Sequence, residues 1–200
     1  MSCELFFIYD SHCPWSYAAT PLVKNIIEAF PEMRLNLLHS AYYDGENHVT
    51  LSTIDAVQDL SDVKFSESYL QTLKNSKDST LAANLLTWVQ HKSNHHAFDL
   101  LTAMQKAHFE EGNLLEEKDD VIALIEALKL FPPAKTLKIE KLTKDAEFAL
   151  HDISELQEVI GTKAIPALLL AHDDNLILLN HNFYLENPEK IVDAVKNELQ

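Results

Sequence analysis

One short stretch near the start holds the residue types that could do chemistry: Cys13-Pro14-Trp15-Ser16. Cys13 follows the apolar run Leu5-Phe6-Phe7-Ile8-Tyr9, the pattern of a buried strand, and precedes a helical pattern that opens at Pro14. First-turn backbone N–H groups have no intrahelical acceptor, and the helix dipole favours negative charge there. Pro14 suits the first helical position because its missing N–H costs nothing. A thiol so placed is expected to lose its proton readily and act as a nucleophile. The plainer reading is a cysteine that only caps the helix. Ser16 stands where a dithiol motif has its second cysteine. Its hydroxyl can donate to a thiolate but cannot resolve a mixed disulfide. Asp10 ends the strand, as a proton acceptor or as a cap for the turn. His12, if protonated, could steady the thiolate, although neighbours on an extended segment point apart. Trp15 could touch an apolar substrate or pack against nearby helices.

Composition narrows the partners. The 200 residues carry a net charge of −15, with 46% hydrophobic and 24% charged positions. That fits one globular unit, or one domain with an insertion. Strong acidity argues against nucleic acid and against anionic membrane surfaces, which need basic patches. No run approaches the roughly 20 apolar residues of a membrane span. The two cysteines, Cys3 and Cys13, flank one extended segment and are expected to be too far apart for a disulfide. With no basic, apolar leader at the start, a reducing, cytoplasmic setting is expected. His91 and His95 have the spacing of a helical metal pair, but no HExxH pattern or cysteine accompanies them. A solvated loop, with His96, is expected there. The acidic run Glu110 to Asp120 lacks the spacing of a calcium loop. No metal and no bound cofactor are expected.

The elements that must position Cys13 follow from periodicity. Leu5–Tyr9 reads as a strand, Pro14 to about Phe30 as a helix that Pro21 should kink or restart, and Arg34–His39 as a second strand. From about Thr50 to Phe148 the apolar spacing is helical throughout. Leu81–Val89, Phe98–Phe109 and Val121–Leu128 are its clearest helices, the last capped by Asp119 or Asp120. A further helix stops at Gly161. Ala167–Ala171 and Leu176–Asn180 form a hairpin around His172-Asp173-Asp174-Asn175. A last helix starts at Asn187-Pro188. The two ends must fold together, because neither alone buries a core. This predicts a discontinuous domain of residues 1–48 plus 149–200, with residues 49–148 as a helical insertion.

This order, with Cys13-Pro14-Trp15-Ser16 at the first strand–helix junction, resembles the DsbA family of the thioredoxin superfamily. Asp10-Ser11-His12-Cys13-Pro14-Trp15-Ser16-Tyr17-Ala18 is similar to the C-x-W-C-Y segment of the FrnE-like disulfide oxidoreductases. Pro21 falls where such proteins often have a helix proline. Asp78–Ala83, Phe109-Glu110-Glu111-Gly112 and Gly161-Thr162-Lys163-Ala164-Ile165-Pro166 extend the match along the chain. The resemblance implies an α/β thioredoxin-like fold with an all-helical insertion. It implies Cys13 as nucleophile with Ser16 beside it, and a cis peptide at Ile165-Pro166 packed against the Cys13 turn. Pro14, Trp15, His12, Ile165 and Pro166 would then face the substrate. The expected activity is that of a thiol–disulfide oxidoreductase or disulfide isomerase. A single cysteine would need an outside thiol such as glutathione as co-substrate, and protein thiols or disulfides would be its partners.

Ser16 is the main departure from that family, and the sequence leaves open whether it is native or a replaced cysteine. Two other readings stand beside this one. Kappa-class glutathione transferases and 2-hydroxychromene-2-carboxylate isomerases share the architecture. Their motif reads like S-P-Y-S; Ser16 and Tyr17 fit it, and Cys13 replaces its first serine. A non-catalytic binding protein on a redox scaffold is the third. Oligomeric state stays open, a homodimer included.

Overall fold

The computed structural model describes residues 3–200. Four strands form one mixed sheet: β1 (Cys3–Tyr9), β2 (Arg34–His39), β3 (Ala167–His172) and β4 (Asn175–Leu179), in the order β2-β1-β3-β4. β1 runs parallel to β2, in register from Glu4 with Arg34 to Tyr9 with His39, and antiparallel to β3. β3 and β4 form the expected hairpin, turned at Asp173, whose φ is 52°. β1 is apolar on both faces because both are covered. Leu5, Phe7 and Tyr9 share a core with α1 (Pro14–Ala29) and α8 (Ile191–Glu198). Phe6 and Ile8 face the other way, onto Leu150, Ile153 and Leu156 of α7 (Lys144–Ile160).

Between β2 and β3 lie α2 (Leu51–Leu60), α3 (Glu67–Gln71), α4 (Thr80–Lys92), α5 (Ala97–Glu111), α6 (Lys118–Ala127) and α7. One apolar cluster contains Leu22 and Leu168 from around the sheet together with Leu85, Leu101 and Val121 from these helices. α7 itself passes through residue 149. Asn84 of α4 donates to the carbonyls of Lys138 and Lys141, both at 3.1 Å, and accepts from the Thr143 N–H at 2.7 Å. That side chain fixes the stretch leading into α7. None of the described helices is long and apolar enough to cross a membrane.

Three expectations are corrected in detail. α1 runs through Pro21 without restarting. The lost backbone bond is tolerated because Leu22, Val23 and Ile26 are wholly buried around it. The N-cap of α6 is Glu117, with Asp120 reaching back from inside the helix to accept from the Glu116 and Glu117 N–H groups, both at 3.0 Å. The last helix begins at Ile191, after a single tight turn over Pro188–Lys190.

Candidate active site

Cys13 is the N-cap of α1, with extended backbone (φ −85°, ψ 119°) and Pro14 at the first helical position. The turn before it is closed by its N–H on the Asp10 carbonyl at 3.1 Å. The Asp10 carboxylate is wholly buried. It accepts from the His12 N–H at 2.8 Å, the Tyr42 and Tyr43 N–H groups at 2.7 and 3.3 Å, and the Ser79 hydroxyl at 2.7 Å. Asp10 is therefore the cap of the turn. It joins the end of β1 to the stretch after β2 and to the start of α4.

Ser16 lies one helical turn beyond Cys13 and is wholly buried. Its hydroxyl oxygen accepts from the Asp10 N–H at 3.2 Å, leaving its own proton to face the sulfur. No full capping hydrogen bond reaches the neutral thiol. Burial pushes the Cys13 thiol up to about 11, against the pull of the Ser16 N–H and hydroxyl and with the Asp10 charge adding to the rise. This reverses the expectation of a thiolate favoured at rest. Only 5% of Cys13 is exposed, and desolvation outweighs the helix terminus.

The wall around the sulfur comes mostly from residues the sequence did not single out. Cys13 clusters with Tyr43, Val49, Ile54, Tyr69 and Phe109, and Trp15, Tyr17 and Ile165 pack on the outside. Tyr17 stacks on Phe109 at 4.5 Å between ring centres and donates to Glu110 at 2.8 Å. The Ile165–Pro166 peptide is cis, as the resemblance implied. Pro14 and Pro166 are buried, and Trp15 is half-buried.

His12 does not sit where a substrate could touch it, because it is wholly buried. Its Nε2 donates to the Leu114 carbonyl at 2.9 Å, so Nδ1 accepts from the Ser11 hydroxyl at 3.0 Å. That hydroxyl also lies 2.9 Å from His39 Nε2, and His39 Nδ1 accepts from the Ala41 N–H at 3.1 Å. The His108 ring is 4.3 Å from His12. Burial lowers all three imidazoles, His39 to about 4. The network is neutral at pH 7 and braces the Cys13 turn against the 112–117 loop. Of this network the sequence singled out only His12; His39, at the end of β2 opposite Tyr9, and His108 carried no signal of it.

Comparison with solved structures finds whole-chain matches to the fold. The chain superimposes on the cytosolic disulfide reductase DsbM from Pseudomonas aeruginosa with a TM-score of 0.83, at 21% identity, over 98% of each chain. The same protein with GSH gives 0.82 at 20% identity, again over 98% of each chain. A putative protein disulfide isomerase from Nitrosomonas europaea gives 0.75 at 13% identity, over 99% of this chain and 98% of that one. The chain has the DsbA-like thioredoxin fold. Neither a protein-family model nor a curated protein sequence matches it. His91, His95 and His96 lie at the end of α4 and in the turn after it, far along the chain from this site and partly or fully exposed.

Proposed function

We propose that the chain is a thiol–disulfide oxidoreductase acting through Cys13 alone, with glutathione as the second thiol. The observation that carries this reading is a thiol at the N-cap of α1 with a hydroxyl, Ser16, at the fourth motif position, beside the cis Ile165–Pro166 turn. The match to a disulfide reductase that has been seen with GSH supports it. Both cysteines are unpaired, which fits a reducing compartment such as the cytoplasm. Within the fold, the FrnE-like motif wording and the disulfide isomerase direction belong to the same proposal.

The chemistry balances with one protein thiol. Cys13 loses its proton, and the thiolate attacks one sulfur of a disulfide. A new S–S bond joins Cys13 to that sulfur. The other sulfur leaves as a thiolate and takes up a proton. A glutathione thiolate then cleaves the mixed disulfide and regenerates Cys13. Ser16 can donate to sulfur but cannot take the place of glutathione in the second step.

The test is incubation of the reduced protein with oxidised glutathione, followed by intact-mass measurement and then by addition of reduced glutathione. One glutathione adduct, lost on reduction and absent from Cys13→Ala, is the expected result. Failure of Cys13 to form any adduct overturns the reading. Glutathione binding without an adduct, retained in Cys13→Ala, would instead favour a glutathione transferase or isomerase.

A further inference from the structure

Tyr69, in the wall of the Cys13 site, and His108, packed against it at 5.1 Å between ring centres, are wholly buried side chains with a polar atom that has no partner, the Tyr69 hydroxyl and His108 Nε2. The Asn113 carbonyl, 2.7 Å from His108 Nδ1, fixes the ring proton on that side, so the free Nε2 is an acceptor. Tyr69 is therefore the one with a spare donor. A buried hydroxyl without a partner is costly, and such a group calls for a role. Its neighbours name one. Tyr69 shares a closed cluster with Cys13, Tyr43 and Phe109, and the reacting group in that cluster must become an anion.

We propose that Tyr69, assisted by Tyr43, supplies the hydrogen bonds that stabilise negative charge on the Cys13 sulfur during thiol–disulfide exchange. The proposal rests on Cys13 being the nucleophile. Both phenols feel the charge of Cys13, and burial raises both, so they keep their protons across the working pH range. They act as donors and transfer nothing. The Cys13 proton goes to the leaving sulfur, as in the exchange above. The phenols would add to the pull of the Ser16 N–H and hydroxyl, which does not overcome the burial of the thiol.

The backbone holds Tyr69 in place. The Ser66 hydroxyl caps α3 by accepting from the Tyr69 N–H at 3.1 Å, and the Ser66 N–H donates to the Phe109 carbonyl at 2.9 Å. Gly112, at the end of α5, has φ 77° and approaches so closely that an added Cβ would lie 2.7 Å from the Ser68 side chain and 3.2 Å from the Tyr69 nitrogen. The helices between β2 and β3 would thus contribute a catalytic group, beyond covering the site.

The experiment is the pH dependence of Cys13 alkylation by iodoacetamide in the full chain, on a Cys3→Ala background. Tyr69→Phe should raise the apparent thiol pKa by about one unit and slow alkylation about tenfold at a fixed pH near neutrality. Its thermal midpoint should not fall and should rise if it moves, since the buried hydroxyl has no partner to lose. Tyr43→Phe should shift the profile in the same direction. A folded Tyr69→Phe protein with an unchanged profile overturns the proposal. If that variant does not fold, incorporation of 3-fluorotyrosine, a stronger donor, must lower the thiol pKa, and an unmoved pKa overturns the proposal equally. These readouts need no disulfide substrate. Lack of a glutathione adduct with a shifted profile would sink the oxidoreductase reading alone; an adduct with an unshifted profile would sink only the role of the phenols.

Discussion

The Ser79 hydroxyl donates to the Asp10 carboxylate at 2.7 Å, tying the start of α4 to the end of β1 behind the Cys13 turn. Ser79 also donates to the Tyr43 carbonyl at 3.1 Å. Asp10 thus receives donors from three separate segments, and its negative charge is offset by hydrogen bonds alone at full burial. Asp10→Asn turns one acceptor oxygen into an NH2 group facing other donors. The variant is expected to lose roughly 2–4 kcal/mol of stability, read by urea denaturation of both proteins.

Acid should unfold the protein earlier than its composition suggests. His12, His39 and His108 are held neutral by burial, with Asp10 opposing the effect at His12 and His39, and with Lys77 adding to it at His12 and His108. Their folded pKa values lie below the unfolded value, so the unfolded chain binds more protons as pH falls. Stability is therefore full above about pH 6.5 and is lost below it. His39, with its pKa at about 4, should cost about 2 kcal/mol by about pH 5. Denaturation midpoints across that window check this. A flat profile, or His39→Gln leaving the acid limb unchanged, would contradict it.

Ser16→Cys tests the geometry of the motif. The position is wholly buried one turn from Cys13. Oxidation of the variant should close a disulfide between Cys13 and the introduced thiol, seen as a mass loss of two hydrogens. The glutathione adduct should then be released without added thiol. Persistence of the adduct in Ser16→Cys would show that a side chain at this position cannot reach the sulfur.

Gly112→Ala should be costly out of proportion to one methyl group. The left-handed φ of 77° disfavours a side chain, and the Cβ would press on Ser68 and the Tyr69 backbone. A loss of about 2–3 kcal/mol is expected, measured by thermal unfolding. Gly161→Ala, with the same handedness but open space around it, should lose only about 1 kcal/mol.

Some of this site was legible in the chain and some was not. Cys13-Pro14 announced a thiol at a helix start because a cap depends on local backbone chemistry, whereas the cis Ile165–Pro166 turn beside it came only from the family resemblance. The strands and long helices were legible from apolar spacing. The wall of the site was not, since it is built from distant contacts. His12 meets Leu114 across 102 positions, and Ser79 meets Asp10 across 69. No local pattern marks Tyr69 as a neighbour of Cys13, or His108 as a neighbour of His12. The thiol's rise to about 11 was missed for the same reason: a helix terminus is visible in sequence, but the depth of its burial is set by packing.

That enclosure has a further consequence for how the protein would age. Peroxide attacks thiolates, and oxidation past the sulfenic acid is hard to reverse. A single cysteine has no neighbouring thiol to trap the first oxidation product as a disulfide. If Cys13 works alone as proposed, holding its thiol up and only 5% exposed at rest guards a sulfur that cannot be rescued from within, so the reduced protein should survive an oxidative burst that would inactivate an open monothiol.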